Sequence, residues 1–281
     1  MLNFLILALI LSLIIVVLIG IKKQKSTLVN KQLTGINAII KINNLVQLLQ
    51  KHRGLSAAFY SGDKQVIHDL KQLVVNVNVL VSELNPPPTM VASDRWLSFN
   101  DHWSRLSRHQ PNIFADDSFK QHTKLISNVL FLLEDVAEHH ALTTEYIDDF
   151  LNIGFLWREL LLIIESVGQS RAVGTRVVTI KNCSSVDKIK LKFLQQHICT
   201  VSEEVLNILL STSQESTFGE LIKQSLVTTQ CLSATITNDI IDIDEIIIDR
   251  SFYFELATNT MEKLNKVFNY KVEQLQQALQ K

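Results

Sequence analysis

Turn-forming residues are scarce in this chain. Its 281 residues include only 8 glycines and 4 prolines, too few for the many tight turns that join short β-strands. Cysteine is also rare, and the three cysteines are far apart and form no C-x-x-C motif. This spacing argues against a zinc knuckle and a redox dithiol. The composition therefore favours long helices over a sheet.

The net charge and the absence of known catalytic motifs give no indication of a nucleic-acid partner or of an enzyme. The 27 basic and 28 acidic residues give a net charge of −1, so no basic field suggests a nucleic-acid partner. The sequence has no G-x-S-x-G motif, no phosphate loop and no dinucleotide-binding fingerprint. We therefore expect a protein that is not an enzyme and has no cofactor. Asp135, Glu138 and His139 could ligate a metal, but one helix supplies all three, and we predict a solvated face and no metal site.

The first residues form a long apolar run. Residues 2–21 are apolar except for Asn3, a length that can span a bilayer. A cleaved signal peptide is the alternative, but the run lacks a basic leader and a small-residue cleavage site. We predict a transmembrane anchor over residues 1–21 in the lipid bilayer of the inner membrane. The lysines that follow place residues 22–281 in the cytoplasm by the positive-inside rule; they are Lys22, Lys23, Lys25 and Lys31.

Apolar residues recur at helical spacing along most of the remaining chain. Breaks in this pattern predict about eight helices beyond the anchor, and an all-α fold of two stacked antiparallel four-helix bundles. The predicted helices cover about Leu28 to Phe59, Asp63 to Leu84, Ser93 to Ser107, Asp117 to Leu142, Thr143 or Thr144 to Gly174, Asp187 to Leu210, Phe218 to Leu232, and a last helix through Leu279. The segment 239–249 has a mixed pattern, and we interpret it as a helix or the entry to one.

Two arginines interrupt apolar helical stripes. Arg53 follows Leu49 on the first helix, and Arg171 lies between Gly168 and Gly174. Neither has a carboxylate three or four residues away on its own helix. Because a buried charge is costly unless it is paired, either each arginine meets a carboxylate from another helix or both bind one anion. Glycine in a helix costs about 1 kcal/mol relative to alanine, so the two glycines indicate a close approach of a ligand or backbone.

The residues around both arginines resemble motifs of one known family. LLQKHRGLSAAF (48–59) resembles the Q-K-E-R-G-x-S motif of the nitrate- and nitrite-sensing (NIT) domain family, and ESVGQSRAVG (165–174) resembles its E-x-x-G-x-x-R motif. FYFELATNTMEKLNKV (252–267) resembles the closing helix of that family. His52 departs from the pattern, because the family usually has an acidic residue at this position.

The resemblance implies an all-helical sensor domain over residues 22–281. In the family, arginines of the first two motifs are implicated in binding nitrate or nitrite. Carried over by motif, the ligand-binding residues are Arg53 and Arg171, with Ser56, Gly168 and Gly174 in support. Relatives join the sensor to an output domain, whereas the given sequence ends after the sensor. We therefore expect signalling by anion-driven helix rearrangement, either to a separate output protein or through self-association.

The sequence leaves an alternative of another class. The same fold could serve as a ligand-free, membrane-anchored scaffold in which both arginines are structural. The last helix keeps an apolar stripe from Leu256 to Leu279, which needs a partner, either the first helix near the membrane or a second copy of the chain. Of the two we expect the second copy, and hence a homodimer.

Overall fold

The computed structural model describes residues 2–84, 94–108, 114–147, 153–211 and 216–280, without the side chains of residues 2, 3, 5, 7 and 8. Within these residues there are eight helices and no strand, so the all-α prediction is confirmed for this part of the chain. The helices are α1 (Leu2–Tyr60), α2 (Ile67–Leu84, after a 3-10 turn over Lys64–Val66), α3 (Asp94–Leu106), α4 (Ala115–His139), α5 (153–180), α6 (185–211), α7 (216–241) and α8 (Arg250–Leu279). Helices α5, α6 and α7 each include one π-helical turn, over Leu156–Leu160, His197–Val201 and Thr237–Ile241.

Helix α1 runs without a break through the predicted boundary between anchor and sensor. The core begins about halfway along it, where Ile36 is the first fully buried apolar side chain. Before that point the large apolar side chains of residues 9–21 are all about half exposed or more. Among the residues that the structure describes, no helix meets the length and apolarity needed to cross a membrane. The predicted transmembrane anchor is therefore not supported by the structure.

The first four helices pack mainly on one another. Helix α1 lies against α4 and α2, and α3 lies against α4. The contacts between α1 and α4 run antiparallel, since Gly35 of α1 lies beside His140 just after α4, whereas Arg53 of α1 contacts Thr123 within α4. The turn between α1 and α2 follows the sequence prediction: Gly62 has a φ of 112°, and the Asp63 carboxylate accepts a hydrogen bond from the Gln65 amide.

The last four helices form a second set. Helix α8 packs antiparallel on α5 and on α7, and α6 packs on both α5 and α7. The two sets meet where α1 lies against α8 and α5, and where α4 lies against α5. One hydrogen bond at this boundary joins the side chains of Gln47 and Asn265 at 3.3 Å. Most contacts between the described helices thus fall within one or the other set of four.

Two local predictions are wrong. Thr143 and Thr144 do not cap a helix: α4 ends at His139, Ala141 takes a left-handed φ of 56°, and the Tyr146 amide closes a turn onto the Thr143 carbonyl at 3.0 Å. Of the segment 239–249, residues 239–241 are helical, because α7 ends in a π-helical turn at Ile241, whereas residues 242–248 are not, and the Asp249 carboxylate caps α8. Predicted breaks at 86–88, 111 and 212–215 lie outside the described residues.

The argument for a homodimer also fails. The apolar stripe of α8 is buried within the chain itself, against α5 and α7. Its side chains from Leu264 to Leu275 that point inward are at most 2% exposed: Leu264, Val267, Phe268, Val272 and Leu275. Because the stripe is already covered, it needs no second copy.

The close approach of α1 and α4 at Gly35 can be tested by measuring the free energy of unfolding of alanine variants. A Cβ on Gly35 would lie 2.4 Å from the His140 Cβ, an atom fixed to the backbone, whereas a Cβ on Gly54 would meet nothing within 4 Å. We predict that Gly35→Ala lowers the free energy of unfolding by about 1–3 kcal/mol through overpacking. Gly54→Ala should raise it by about 0.5–1 kcal/mol, because alanine favours the helix. Urea denaturation of both variants checks this, and equal effects would contradict the close approach.

Candidate functional site

A buried ion pair lies at the boundary between the two sets of helices. Arg53 of α1 is 1% exposed and Glu165 of α5 is 3% exposed. The guanidinium donates to both carboxylate oxygens: Nη1 to Oε1, and Nη2 to Oε2 at 3.2 Å. This is the bidentate geometry in which a guanidinium matches a planar anion. The carboxylate that Arg53 lacks on its own helix therefore comes from α5.

Further polar groups complete this pair. Gln50 donates to Glu165 Oε2 at 2.9 Å, and Gln169 donates to Oε1 at 3.0 Å. On the arginine side, Nη1 also donates to the Thr123 hydroxyl at 3.3 Å, and the guanidinium carbon lies 5.4 Å from the centre of the Phe119 ring. Glu165 thus accepts four hydrogen bonds, which offset the cost of burying its carboxylate.

Gly168 makes room for the Arg53 side chain. It lies three residues after Glu165 on α5, and a Cβ there would lie 2.9 Å from Arg53 Nη2 and 3.3 Å from the terminal methyl of Met261. The close approach expected at this glycine is therefore present, although the atom that approaches is the guanidinium of Arg53.

Arg171 has a different environment. Its Nη1 donates to the Thr258 hydroxyl of α8 at 3.0 Å, and its guanidinium lies 5.1 Å from the centre of the Phe254 ring. In the described part of the chain, no carboxylate forms an ion pair with it within 4.0 Å. Burial lowers the pKa of the Arg171 guanidinium, the positive charge of Arg53 lowers it further, and Glu165 opposes both effects.

These three charges do not balance. The Arg53 guanidinium lies beside Gly168, three residues before Arg171 on α5, and Glu165 is the carboxylate that pairs with Arg53. Two guanidinium groups and one carboxylate leave a local charge of +1, on the half-buried Arg171 side. The site therefore has an electrostatic preference for one further negative charge.

The remaining predicted support residues contact other groups. A Cβ on Gly174 would lie 2.3 Å from the Tyr253 ring and hydroxyl, and that hydroxyl donates to the Ser170 carbonyl at 2.9 Å. Gly174 therefore accommodates a buried tyrosine. Ser56 lies 3.3 Å from His52 Nδ1, so it belongs to a neighbouring histidine cluster.

A histidine cluster lies beside Arg53: His52 precedes Arg53 on α1, and His122 precedes Thr123, the α4 residue that accepts a hydrogen bond from Arg53. His52 Nδ1 lies 2.7 Å from His122 Nε2, and His122 Nδ1 lies 2.7 Å from the Ser118 carbonyl. Since a carbonyl only accepts, His122 Nδ1 carries a proton. In a neutral His122 the Nε2 atom then accepts from His52 Nδ1–H. The histidine that departs from the family motif thus forms a buried polar contact between α1 and α4.

Sequence reasoning found both arginines but not the residues that join Arg53 to α5. Glu165 is 112 residues from Arg53, and Gln50 and Gln169 have no periodicity that marks them. One signal was available: Glu165 is the acidic residue of the second motif, one helical turn before Gly168. A carboxylate on the inner face of a helix is rare unless it has a partner.

Comparisons with known proteins identify a similar fold. No model of a protein family matches the sequence, and no curated protein matches it. Among solved structures, the chain is similar to the NasR transcription antiterminator, with 14% sequence identity and a TM-score of 0.65. The match covers 95% of this chain and 74% of the NasR chain. At this identity the similarity establishes the fold alone.

The ion pair makes a prediction about stability. Arg53→Met leaves the Glu165 carboxylate buried without its ion-pair partner, and we expect it to cost about 3–5 kcal/mol. Adding Glu165→Gln removes the isolated charge, so the double variant should be more stable than Arg53→Met alone. Arg105 pairs with Asp101 on the surface, with 61% and 65% of their side chains exposed. The control Arg105→Met should cost about 1 kcal/mol or less.

Urea denaturation of the four proteins measures these differences. If adding Glu165→Gln destabilises the Arg53→Met variant further, the stabilising interaction is not the charge pair.

Proposed function

We propose that this chain is a helical sensor module that binds nitrate or nitrite at the arginine site and signals to a separate output protein. The observation that carries the proposal is the charge of +1 that Arg171 leaves beside the Arg53–Glu165 pair. A monovalent anion would neutralise it. The proposal is for a binding function, not a catalytic one.

The chemistry of the ligand fits a guanidinium. Nitrate and nitrite are small, planar and monovalent, and a guanidinium offers parallel donors to two oxygens. Because the fork of Arg53 is occupied by Glu165, the first contact of the anion falls to Arg171. Thr258 and Phe254 already orient this side chain between α5 and α8.

Two further observations support the proposal. The motifs around Arg53 and Arg171 resemble those of the NIT family, and this resemblance implies that the chain binds nitrate or nitrite. The fold is similar to that of NasR, a transcription antiterminator, so a module of this shape occurs in a regulatory protein. The net charge of −1 keeps our expectation that the partner is a protein and not a nucleic acid.

Signalling requires two packings of the helices. Arg53 and Arg171 carry like charges on α1 and α5. Glu165 offsets their repulsion only in part, and the remaining repulsion favours a larger separation of these helices. An anion bound at Arg171 would reduce the repulsion and favour the closer packing. It shifts the equilibrium only by its difference in affinity for the two states, so binding must be tighter in the closer one.

The test is a titration with nitrate and nitrite, with chloride as the control anion. We predict binding to the wild type, and a loss of about 10- to 100-fold in affinity for Arg171→Ala, because a charge-assisted hydrogen bond contributes about 1.5–3 kcal/mol. Arg171→Lys should lose nearly as much, since an ammonium lacks the planar fork. Nitrate should also raise the melting temperature of the wild type. Arg105→Ala is the matched control on the surface.

One observation favours the alternative of a ligand-free scaffold. Glu165 already satisfies the Arg53 guanidinium in a bidentate pair, as expected if that arginine is structural. Absence of heat and of a thermal shift with both anions at millimolar concentration would reject the sensor and favour the scaffold.

A further inference from the structure

A cleft opens on the opposite side of the ion pair from Arg171. It has a volume of about 610 Å³ and lies between α4, α5 and α6, where the two sets of helices meet. Gln169 lines it, whereas Arg171, two positions further along α5, contacts α8. At 3.6 residues per turn, residues two apart point to opposite sides of a helix. The cleft is therefore separate from the proposed anion site, and its volume falls in the range of small-molecule pockets.

The charged groups of the cleft have one sign. Lys120, Lys124 and Lys190 line it, and no carboxylate is among the lining residues. Lys120 lies 3.5 Å from Asp117 on the surface. In the described part of the chain, Lys124 and Lys190 form no ion pair within 4.0 Å. Asp187, three residues before Lys190 on α6, pairs with Arg176, so Lys124 and Lys190 line the cleft without an ion-pair partner of their own.

The walls of the cleft are apolar, and two of its polar side chains are hydrogen-bonded to the buried ion pair. Phe119, Val173 and Phe193 line it, and Phe193 is 69% exposed. Two further lining residues also contact the ion pair: Thr123 accepts a hydrogen bond from Arg53, and Gln169 donates one to Glu165. The cleft thus combines a cationic edge, aromatic walls and polar contacts to Arg53 and Glu165.

We propose that this cleft binds a small organic anion, one that joins a carboxylate head to an aromatic body. The carboxylate would lie between Lys124 and Lys190, and the aromatic ring would lie against Phe119 and Phe193. A ligand that bonds to Thr123 or Gln169 competes with Arg53 or Glu165 for the same groups, which couples the cleft to the buried pair. The proposal does not depend on nitrate binding at Arg171.

The experiment is a calorimetric titration of the full chain with phenylacetate. Acetate carries the head alone and 2-phenylethanol carries the ring without the charge. Phenylacetate should bind at least tenfold more tightly than either. The double variant Lys124→Gln/Lys190→Gln should lose at least tenfold in affinity, as expected for two charge-assisted contacts. Lys71→Gln/Lys223→Gln changes two exposed lysines outside the cleft and should bind like the wild type.

Two results would overturn the proposal. One is equal affinity of the wild type and Lys124→Gln/Lys190→Gln for phenylacetate, with both proteins folded by circular dichroism. The other is no binding of phenylacetate at millimolar concentration, which would favour the acidic side chains of another protein as the occupant.

Discussion

The Arg53–Glu165 ion pair constrains how the two sets of helices pack. It joins α1 to α5 by a bidentate contact from which water is excluded. A buried pair gains little over apolar residues of similar volume, because desolvation offsets the attraction, but either charge alone is strongly destabilising. The pair therefore fixes one arrangement more than it adds stability. Gly168, Gln50 and Gln169 are explained by it, the glycine by space and the glutamines by hydrogen bonds.

The helices could be predicted because their signal is local. Apolar spacing placed α2, α3, α4 and α8 within a few residues of their observed ends, and Gly62 and Asp63 marked the first turn. The errors came where tertiary structure decides. Residues 242–249 contain isoleucines that suit a helix, yet the Asp249 cap starts α8 after them. The stripe of α8 looked uncovered only because sequence does not show that α5 and α7 cover it.

The site could be predicted only in its local part, which is the position of the two arginines. An arginine on an apolar stripe shows in the sequence that a partner is required, but not what the partner is. A carboxylate from another helix and a bound anion both satisfy that requirement, and the structure gives a different result for each arginine. Arg53 has Glu165, which lies 112 residues away, whereas Arg171 has a hydroxyl and an aromatic ring. The same sequence pattern thus occurs in two different environments. Only the packing of α5 between α1 and α8 determines which arginine meets the carboxylate.

The geometry of Glu165 also bears on how a sensor of this kind would switch. A carboxylate presents two oxygens in a plane to the guanidinium, as nitrate does, so the two compete for the same donors. If an anion took the fork of Arg53, Glu165 would still have Gln50 and Gln169 as donors. The carboxylate would therefore keep half of its hydrogen bonds when it lost its countercharge, which lowers the cost of the exchange. A buried pair with additional donors to the carboxylate is thus compatible with both a rigid scaffold and a two-state sensor. The two differ in whether an anion replaces the Glu165 carboxylate at the Arg53 guanidinium.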